Sequence, residues 1–273
     1  MINKEFGTLY IVPTPIGNLS DISKRTLEIL SKVDLILCED TRKTLKLLSA
    51  FNIKNKLVSY YTHKEESESE KTISLLFNKK NIALVSDSGS PLISDPGNIL
   101  IQKCIANKVN IISVPGPTAF VSALVASGFD LSQFIFYGFL KDYKKELNSI
   151  MLSSFVSAIY ESPHKLFKTL ELINEIMPDR NLCVAKEISK INESYYRGTA
   201  NEILKMNIVP KGEFVIIIDK SDKDFYINDF DISLPKHLEY YVNQGLAKKE
   251  ALKKVARDLN LPKNDIYKFF SND

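Results

Sequence analysis

Cysteine is scarce in this chain of 273 residues, and the three that it has, Cys38, Cys104 and Cys183, are widely separated. None belongs to a C-x-x-C pair and none has a histidine close by in sequence, so the pattern predicts neither a disulfide framework nor a zinc site. Because unpaired cysteines are typical of a reducing compartment, we expect a cytoplasmic protein.

Long hydrophobic runs are also scarce. The charge-free stretch at residues 111–129 approaches the roughly 20 residues that span a bilayer. Pro115, Gly116 and Pro117 interrupt it, which predicts a short strand, a proline loop and a short helix in a buried core. The first seven residues show no signal-peptide pattern, so we expect neither export nor a membrane partner.

Neither sign of charge dominates: 36 Lys and Arg stand against 33 Asp and Glu, for a net charge of +3. The hydrophobic fraction of 44% and the charged fraction of 25% are typical of a folded globular protein and exclude a disordered or collagen-like chain. The length suffices for two domains of about 100–200 residues each.

Two nucleotide-binding motifs are missing. The chain contains no G-x-x-x-x-G-K-[ST] phosphate loop and no G-x-G-x-x-G turn. Both motifs serve to bring backbone N–H groups close to phosphates, so their absence argues against ATP hydrolysis and against a standard dinucleotide site.

Strand-like apolar runs alternate with amphipathic helical segments through the first part of the chain. The runs are 8–12, 34–38, 57–60, 82–85 and 110–114. Uniformly apolar strands separated by helices predict a parallel sheet covered on both faces, because neither face of such a strand meets water. We therefore predict a first α/β domain at 1–117.

The remainder of the chain divides differently. Short alternating runs predict a second α/β domain at 118–222 with a mixed or antiparallel sheet, and a charged linker follows at 221–231. Three helical segments then predict a helix-turn-helix-like domain at 229–273. Eight basic and four acidic residues between 236 and 268 give it a surplus of +4 (8 − 4). It is either a nucleic-acid contact or a solvated capping bundle.

Four predicted strands of the first domain are followed by unusual loops, at 13–18, 39–42, 86–91 and 115–118. Ligands of an open parallel sheet bind beyond the carboxyl ends of its strands. The prolines in these loops stiffen the backbone, and Gly89 can adopt a positive φ and allow close approach of a ligand. We therefore expect a binding site along this edge.

Several sequence blocks resemble the ribosomal RNA small subunit methyltransferase I family, a branch of the tetrapyrrole methylases. The blocks are TLYIVPTPIGNL at 8–19, EDTR at 39–42, VSDSGSPLISDPG at 85–97, PGPTA at 115–119, YESPHK at 160–165, AKE at 185–187, RGT at 197–199 and KGEFV at 211–215. The chain departs from the family pattern after Leu140, where a proline and a basic stretch are usual, and we interpret residues 141–145 as a loop.

This resemblance implies a fold and an activity. The fold would be two α/β domains with the cofactor cleft between them and a small helical domain at the C-terminal end. The activity would be methyl transfer from S-adenosylmethionine to the 2′-oxygen of a cytidine in small-subunit ribosomal RNA, with a homodimer acting on the assembled subunit. The implied cofactor-binding residues are Pro15, Asp87, Ser88, Gly89, Ser90, Ile93, Pro117, Thr118, Ala119, Tyr160 and Gly212.

The chemistry suggests further candidates. A sulfonium methyl is already electrophilic, so no metal is required, and alignment of the reacting atoms is the main task. A ribose hydroxyl is a weak acid, so a proton acceptor or a cation should assist. The predicted catalytic residues are Glu39, Arg42, Asp95, Lys186 and Glu187, with Asp40 and Glu161 as further carboxylates. Asp40 could instead cap a helix, and Lys186 and Glu187 could pair with each other.

RNA binding would depend on local basic patches, because phosphate contacts dominate such affinity. The candidate patches are Arg42-Lys43 with Lys46, Lys141 with Lys144-Lys145, and Lys248-Lys249, Lys253-Lys254 and Arg257. Each could equally be ordinary solvated helix surface. Two other functions stay open: a methylase of a small tetrapyrrole or of a protein on the same fold, and a non-catalytic ribosome-binding factor.

Overall fold

The computed structural model describes residues 5–61, 65–221, 234–258 and 262–271. Contacts divide the chain into two compact units, the first comprising Met1–Ala126 with Ala185–Tyr195 and the second Ser127–Val184 with Tyr196–Asp273. Most of the predicted linker, and the start of the third predicted domain, lie outside the described residues. The three-domain division stays a prediction.

The first sheet is fully parallel, as predicted. Its strands are β1 (Thr8–Val12), β2 (Leu35–Cys38), β3 (Leu57–Ser59), β4 (Ile82–Val85) and β5 (Asn110–Ser113), in the order β3-β2-β4-β1-β5. The central strands β2 and β4 are buried along their whole length, which explains why their sequences are continuously apolar rather than alternating.

Helices cover both faces of this sheet: α1 (Lys24–Lys32), α2 (Thr41–Ala50), α3 (Glu65–Phe77), α4 (Asn98–Ala106) and α5 (Ala119–Ser127). Leu30 of α1 and Leu48 of α2 pack on one face, whereas Leu76 of α3 and Leu100 of α4 pack on the other. Helix α1 begins after Ser23, whose side chain accepts a hydrogen bond from the backbone N–H of Thr26.

The charge-free stretch at 111–129 contributes to β5 and forms α5, separated by the proline loop, so the prediction of a buried α/β segment is confirmed. Across the described residues, no helix is both long enough and apolar enough to cross a membrane.

The second sheet is mixed, also as predicted. Its strands are β6 (Phe134–Phe139), β7 (Val156–Glu161), β8 (Asn181–Lys186), β9 (Ser194–Thr199) and β10 (Phe214–Ile218), in the order β6-β7-β10-β8-β9. Strand β6 runs parallel to β7, and β10 runs antiparallel to β7. The associated helices are α6 (Tyr143–Met151), α7 (Leu166–Ile176) and α8 (Ala200–Leu204).

Helix α6 corrects the prediction of a loop at 141–145. Asp142 caps the helix by accepting a hydrogen bond from the backbone N–H of Lys145. Tyr143, Leu147 and Ile150 then recur at helical spacing and pack into the core of the second unit. Lys144 and Lys145, which we interpreted as part of a loop, therefore lie in the first turn of a helix, and Lys141 precedes its N-cap.

The C-terminal helices are α9 (Leu234–Asn243), α10 (Lys248–Asp258) and α11 (Lys263–Ser271), which confirms the three predicted helical segments. They enclose a small core that includes Leu238, Ala251, Val255 and Ile266, against which Leu152 also packs. The lysines of α10, such as Lys249 and Lys253, are exposed on its other side.

Candidate active site

The strand order places a crevice at the carboxyl end of β4. The helices that follow β1 and β2 cover one face of the sheet, whereas the helix that follows β4 covers the other. Because β4 lies between β1 and β2, the chain leaves neighbouring strands in opposite directions there. Such a switch point is where open α/β sheets bind their ligands. The loop at 86–91 begins at this point.

Backbone pairing joins this loop to the loop after β1. The N–H of Thr14 donates to the carbonyl oxygen of Gly89 at 2.8 Å, and the N–H of Gly89 donates to the carbonyl of Thr14 at 3.1 Å. The Ser86 hydroxyl donates to the Gly89 carbonyl at 2.8 Å. Both the N–H and the carbonyl of Gly89 thus form hydrogen bonds within the protein. Gly89 therefore shapes the carboxyl edge of the sheet through its backbone conformation, with a φ of +82°.

The turn after β5 is joined to the same loop. The Ser90 hydroxyl lies 3.1 Å from the carbonyl oxygen of Pro117 and 2.8 Å from the hydroxyl of Thr118. Ala119 follows directly as the first residue of α5. The structure therefore brings together the expected cofactor-binding residues of these two segments and holds them in place before any ligand binds.

Asp87 connects the loop after β4 to the loop after β2. Its carboxylate accepts hydrogen bonds from the backbone N–H of Asp40 at 3.0 Å and from Nζ of Lys43 at 2.8 Å. Together with the Thr14 and Ser90 contacts, this bond links all four loops that follow strands β1, β2, β4 and β5. Ser88, which follows Asp87 in the same loop, is exposed, whereas Pro15 and Ile93 are half-buried.

Asp40 is the N-cap of α2, which confirms the structural alternative for this residue. Its Oδ1 accepts a hydrogen bond from the backbone N–H of Arg42 at 2.8 Å. Its Oδ2 forms an ion pair with the Arg42 guanidinium, also at 2.8 Å. The bonds from Arg42 lower the pKa of Asp40 to about 2. Arg42, predicted as catalytic, is 86% exposed and is engaged by Asp40.

Asp95 has the most unusual electrostatic environment of the predicted catalytic residues. Burial, together with the nearby charges of Glu39 and Asp87, raises the pKa of its carboxyl to about 6. The flanking backbone is strained, because Leu92 and Ser94 have φ values of +70° and +68°. A strained segment carrying a carboxyl that titrates near neutral pH is typical of a functional site.

A distant carboxylate holds this strained segment. Glu65, at the start of α3, is buried, and its Oε1 accepts hydrogen bonds from the backbone N–H groups of Gly97 and Ile99, both at 2.9 Å. These groups begin α4, so the helix is capped by a side chain more than thirty residues away. Sequence reasoning missed this role because nothing local to 92–99 marks it.

Lys186 and Glu187 lie where β8 ends. Glu187 forms an ion pair with Lys190 at 2.8 Å, and the predicted mutual pairing of Lys186 and Glu187 stays a prediction. Glu187 and Ser189 have φ values of +52° and +67°. The Ser189 hydroxyl donates to the carboxylate of Asp21, which anchors the segment within the first unit.

This segment borders a polar cleft of about 710 Å³ in the first unit, a volume within the range of ligand sites. Its lining includes Asn18, Asp21, Gly116, Pro117, Lys190 and Tyr195. The loops after β1 and β5 thus form one side of the cleft, and carboxylate, ammonium and hydroxyl groups line it.

In the second unit, Tyr160 and Gly212 lie at one edge of the sheet. Tyr160 pairs with Val215 across β7 and β10, and Gly212 precedes β10 with a φ of +98°. The ring of Tyr160 packs edge-on against Phe136, with ring centroids 5.0 Å apart. The roles of both residues in cofactor binding, which the resemblance implies, stay predictions.

Glu161 has a structural environment rather than a catalytic one. It is 3% exposed and accepts hydrogen bonds from the hydroxyls of Tyr143 and Thr169 and from the backbone N–H of Ser162, at 3.2, 2.6 and 2.6 Å. Burial, with the charge of Glu161 beside it, raises the pKa of Tyr143 to about 12. This carboxylate therefore connects β7 to α6 and α7.

We expect Glu161→Gln to lower the free energy of unfolding by about 1–3 kcal/mol, because an amide nitrogen cannot accept the hydrogen bonds that the carboxylate accepts. Urea denaturation would measure the change. Glu171→Gln, at an exposed position of α7, is the matched control and should leave stability unchanged. Equal stability of the two variants would contradict the structural role.

Comparison with known proteins agrees with this architecture. The sequence profile described as Tetrapyrrole (Corrin/Porphyrin) Methylases matches residues 8–204. Among solved structures, diphthine synthase superimposes with a TM-score of 0.60 at 12% identity, covering 78% of this chain and 90% of the other. Uroporphyrin-III C-methyl transferase from Thermus thermophilus, complexed with S-adenyl homocysteine, gives 0.54 at 15% identity, with 78% and 97% covered. These two likenesses concern the fold.

Sequence relatives are more specific. The ribosomal RNA small subunit methyltransferase I of Bacillus subtilis is 39% identical over 96% of this chain and 94% of its own length. The protein of the same name from Thermotoga maritima is 41% identical over 78% of this chain and 98% of its own length. The chain therefore belongs to the ribosomal RNA small subunit methyltransferase I family, within the tetrapyrrole methylases.

Proposed function

We propose that this protein transfers the methyl group of S-adenosylmethionine to the 2′-oxygen of a cytidine ribose in small-subunit ribosomal RNA. The observation that carries the proposal is the set of four interlocked loops at the switch point of the first sheet, in a chain whose near full-length relatives are named for ribosomal RNA methylation. The cytoplasm is the expected location, because assembled ribosomal subunits are found there.

The residues present suit this cofactor. The cleft is lined by the carboxylate of Asp21, which accepts a hydrogen bond from Ser189, and by Lys190, which pairs with Glu187. It therefore presents both signs of charge to the ammonium and the carboxylate of a methionine moiety. We assign the binding of the cofactor to the segments around Asp87–Pro91 and Pro117–Ala119, with Pro15, Ile93, Tyr160 and Gly212 as further contacts. When bound, S-adenosylmethionine supplies a methyl group already activated by its sulfonium sulfur.

The protein's own groups have two tasks in this mechanism. The rigid loops orient the attacking hydroxyl relative to the methyl group. This fixed alignment lowers the activation barrier, because the entropy cost of bringing the two reactants together is met when they bind. Asp95 accepts the proton of the ribose hydroxyl as the new bond to the methyl carbon forms, because its raised pKa of about 6 makes its carboxylate a stronger base than an ordinary aspartate. Glu39 raises the pKa of Asp95, and Lys186 provides positive charge at the end of β8.

Transfer of labelled methyl groups to small subunits from cells that lack the protein tests the proposed function. Nuclease digestion should locate the label on the ribose of a cytidine. Label found in a small molecule or in a protein would replace this function with one of the other methylase activities, and no label at all would indicate a non-catalytic ribosome-binding factor. Sedimentation of the active protein tests the proposed homodimer.

The C-terminal helices are proposed to contact the RNA substrate. Lys248, Lys249 and Lys253 are exposed on α10, and Lys254 lies over the ring of Tyr241 at 4.7 Å. The family profile occupies residues 8–204, so the C-terminal helices lie outside it.

We expect removal of residues 229–273 to leave affinity for S-adenosylmethionine unchanged and to raise the KM for small subunits, because phosphate contacts would be lost. Calorimetry and steady-state kinetics measure the two quantities. Since Leu152 packs against these helices, a variant with Lys248, Lys249 and Lys253 replaced by glutamine is the control that retains the fold. Normal kinetics in both variants would exclude an RNA contact here.

A further inference from the structure

Strand β6 carries an irregularity that changes which side chains share a face. Phe136 lies opposite Ala158 of β7, but Phe139 lies opposite Tyr160, so three residues of β6 advance against two of β7. Residues three apart on a regular strand point to opposite faces. The extra residue, accommodated by Gly138 with its φ of +68°, therefore brings Phe139 to the same face as Phe136 and Tyr160.

The three rings form a contiguous cluster on that face. Tyr160 lies between the other two, with its ring centroid 5.0 Å from that of Phe136 and 5.5 Å from that of Phe139. Phe136 and Tyr160 are half-buried, whereas Phe139 is 56% exposed. The bulge thus holds a large apolar ring at the protein surface with its neighbours fixed behind it.

The residues that follow this ring in sequence include three lysines. Lys141, Lys144 and Lys145 are exposed in the residues that follow it, and Nζ of Lys165 lies 4.9 Å from the centroid of the Tyr143 ring. The acidic groups of this region are engaged locally. Asp142 caps α6, and Glu146 accepts hydrogen bonds from the backbone N–H groups of Lys141 and Asp142.

We propose that Phe139, supported by Tyr160 and Phe136, stacks against an unpaired base of the ribosomal RNA substrate, while the neighbouring lysines contact the adjoining phosphates. The inference rests on the proposed function. A fixed aromatic ring combined with exposed ammonium groups is the chemistry that binds single-stranded nucleic acid, because every base has a face that can stack and every nucleotide carries a phosphate. Phe139 would position the substrate strand for methylation.

Kinetics of two matched variants provide the first test. Phe139→Ala should lower kcat/KM for small subunits by about 5- to 150-fold, the range that loss of one base–aromatic stack gives, with the affinity for S-adenosylmethionine unchanged. Phe134→Ala is the control, because Phe134 is 45% exposed at the other end of the same strand, and it should retain normal kinetics. Equal effects of the two substitutions would overturn the proposal.

A fluorescence measurement identifies the stacking partner directly. The chain contains no tryptophan, so Phe139→Trp introduces a single fluorescent reporter at the proposed stacking position. Small subunits should quench its emission, and Phe134→Trp should show no quenching. Quenching by S-adenosylmethionine alone would assign the ring to the cofactor's adenine and overturn the RNA contact, as would conversion of a wild-type dimer to a monomer by Phe139→Ala.

The failure of this inference can be distinguished from failure of the proposed function. If the wild-type protein methylates small subunits but Phe139→Ala does so equally well, only the stacking contact is wrong. If the wild-type protein transfers no methyl group to ribosomal RNA and ribosomal small subunits leave the Phe139→Trp emission unchanged, both the stacking contact and the proposed function are wrong.

Discussion

Replacing Asp95 by asparagine is expected to lower kcat for methylation of small subunits by about 10²–10⁴-fold, the usual contribution of a positioned proton acceptor. An amide has nearly the shape of the carboxyl but cannot accept the ribose proton. Affinity for S-adenosylmethionine should stay unchanged, because the interlocked loops that we assign to cofactor binding do not depend on the charge of Asp95. Single-turnover kinetics and calorimetry would separate the two effects.

The same substitution should stabilise the protein at neutral pH. Burial, with the charges of Glu39 and Asp87, raises the pKa of Asp95 from 3.8 to about 6. Ionising this carboxyl therefore costs more free energy in the folded state than in the unfolded chain. That cost is fully present above about pH 6 and disappears as the pH falls towards 3.8. Asp95→Asn should therefore melt at a higher temperature than the wild type near pH 7.5, and at the same temperature near pH 4.

The pH dependence of the rate provides a further check on Asp95. The wild-type rate should fall as the pH decreases through about 6, where Asp95 becomes protonated. Glu39→Gln removes a charge that raises the pKa of Asp95, so it should move this fall to lower pH. An Asp95→Asn variant with wild-type kcat would exclude Asp95 as the proton acceptor, and a variant destabilised at every pH would contradict the cost assigned to its ionised carboxyl.

Gly89→Val is expected to reduce affinity for S-adenosylmethionine below calorimetric detection. Gly89 has a φ of +82°, and a Cβ there would lie 3.3 Å from Cγ2 of Ile16 and 3.6 Å from the carbonyl oxygen of Pro117. A β-branched side chain would strain this backbone at a cost of about 1–3 kcal/mol and would push apart the loops after β1 and β5. Those loops border the cleft that we assign to the cofactor.

Gly128→Val is the matched control for Gly89→Val. Gly128 has a similar φ of +87°, but a Cβ there would have no neighbour within 4 Å. Both variants should therefore lose stability from backbone strain, whereas only Gly89→Val should lose cofactor binding. Unchanged cofactor affinity in Gly89→Val would refute the placement of the site at this edge of the sheet.

The first sheet could be predicted from the sequence because its strands are buried on both faces. A continuous apolar run such as residues 82–85 leaves little choice of structure, and the order of strands and helices then requires parallel pairing. The position of the loops follows from that pairing alone. The C-terminal helices could be predicted equally well from the sequence, since their apolar residues recur at helical spacing.

Partners that are distant in sequence could not be predicted. Helix α6 was missed because the charges at 141–145 obscured the spacing of Tyr143, Leu147 and Ile150. Neither the cap that Glu65 provides nor the pairing of Thr14 with Gly89 leaves a local signal, because each joins segments separated by more than thirty residues. Such contacts depend on the folded arrangement of strands and not on local propensity.

The pairing of Thr14 with Gly89 constrains how this scaffold can diversify. Each residue both donates to and accepts from the other, so inserting a single amino acid into either loop would displace a donor or an acceptor in its neighbour. Enzymes built on this scaffold would therefore acquire new substrates more readily by altering segments outside that pair, such as the bulged strand around Gly138 or the residues after β8, than by lengthening the two loops that it joins.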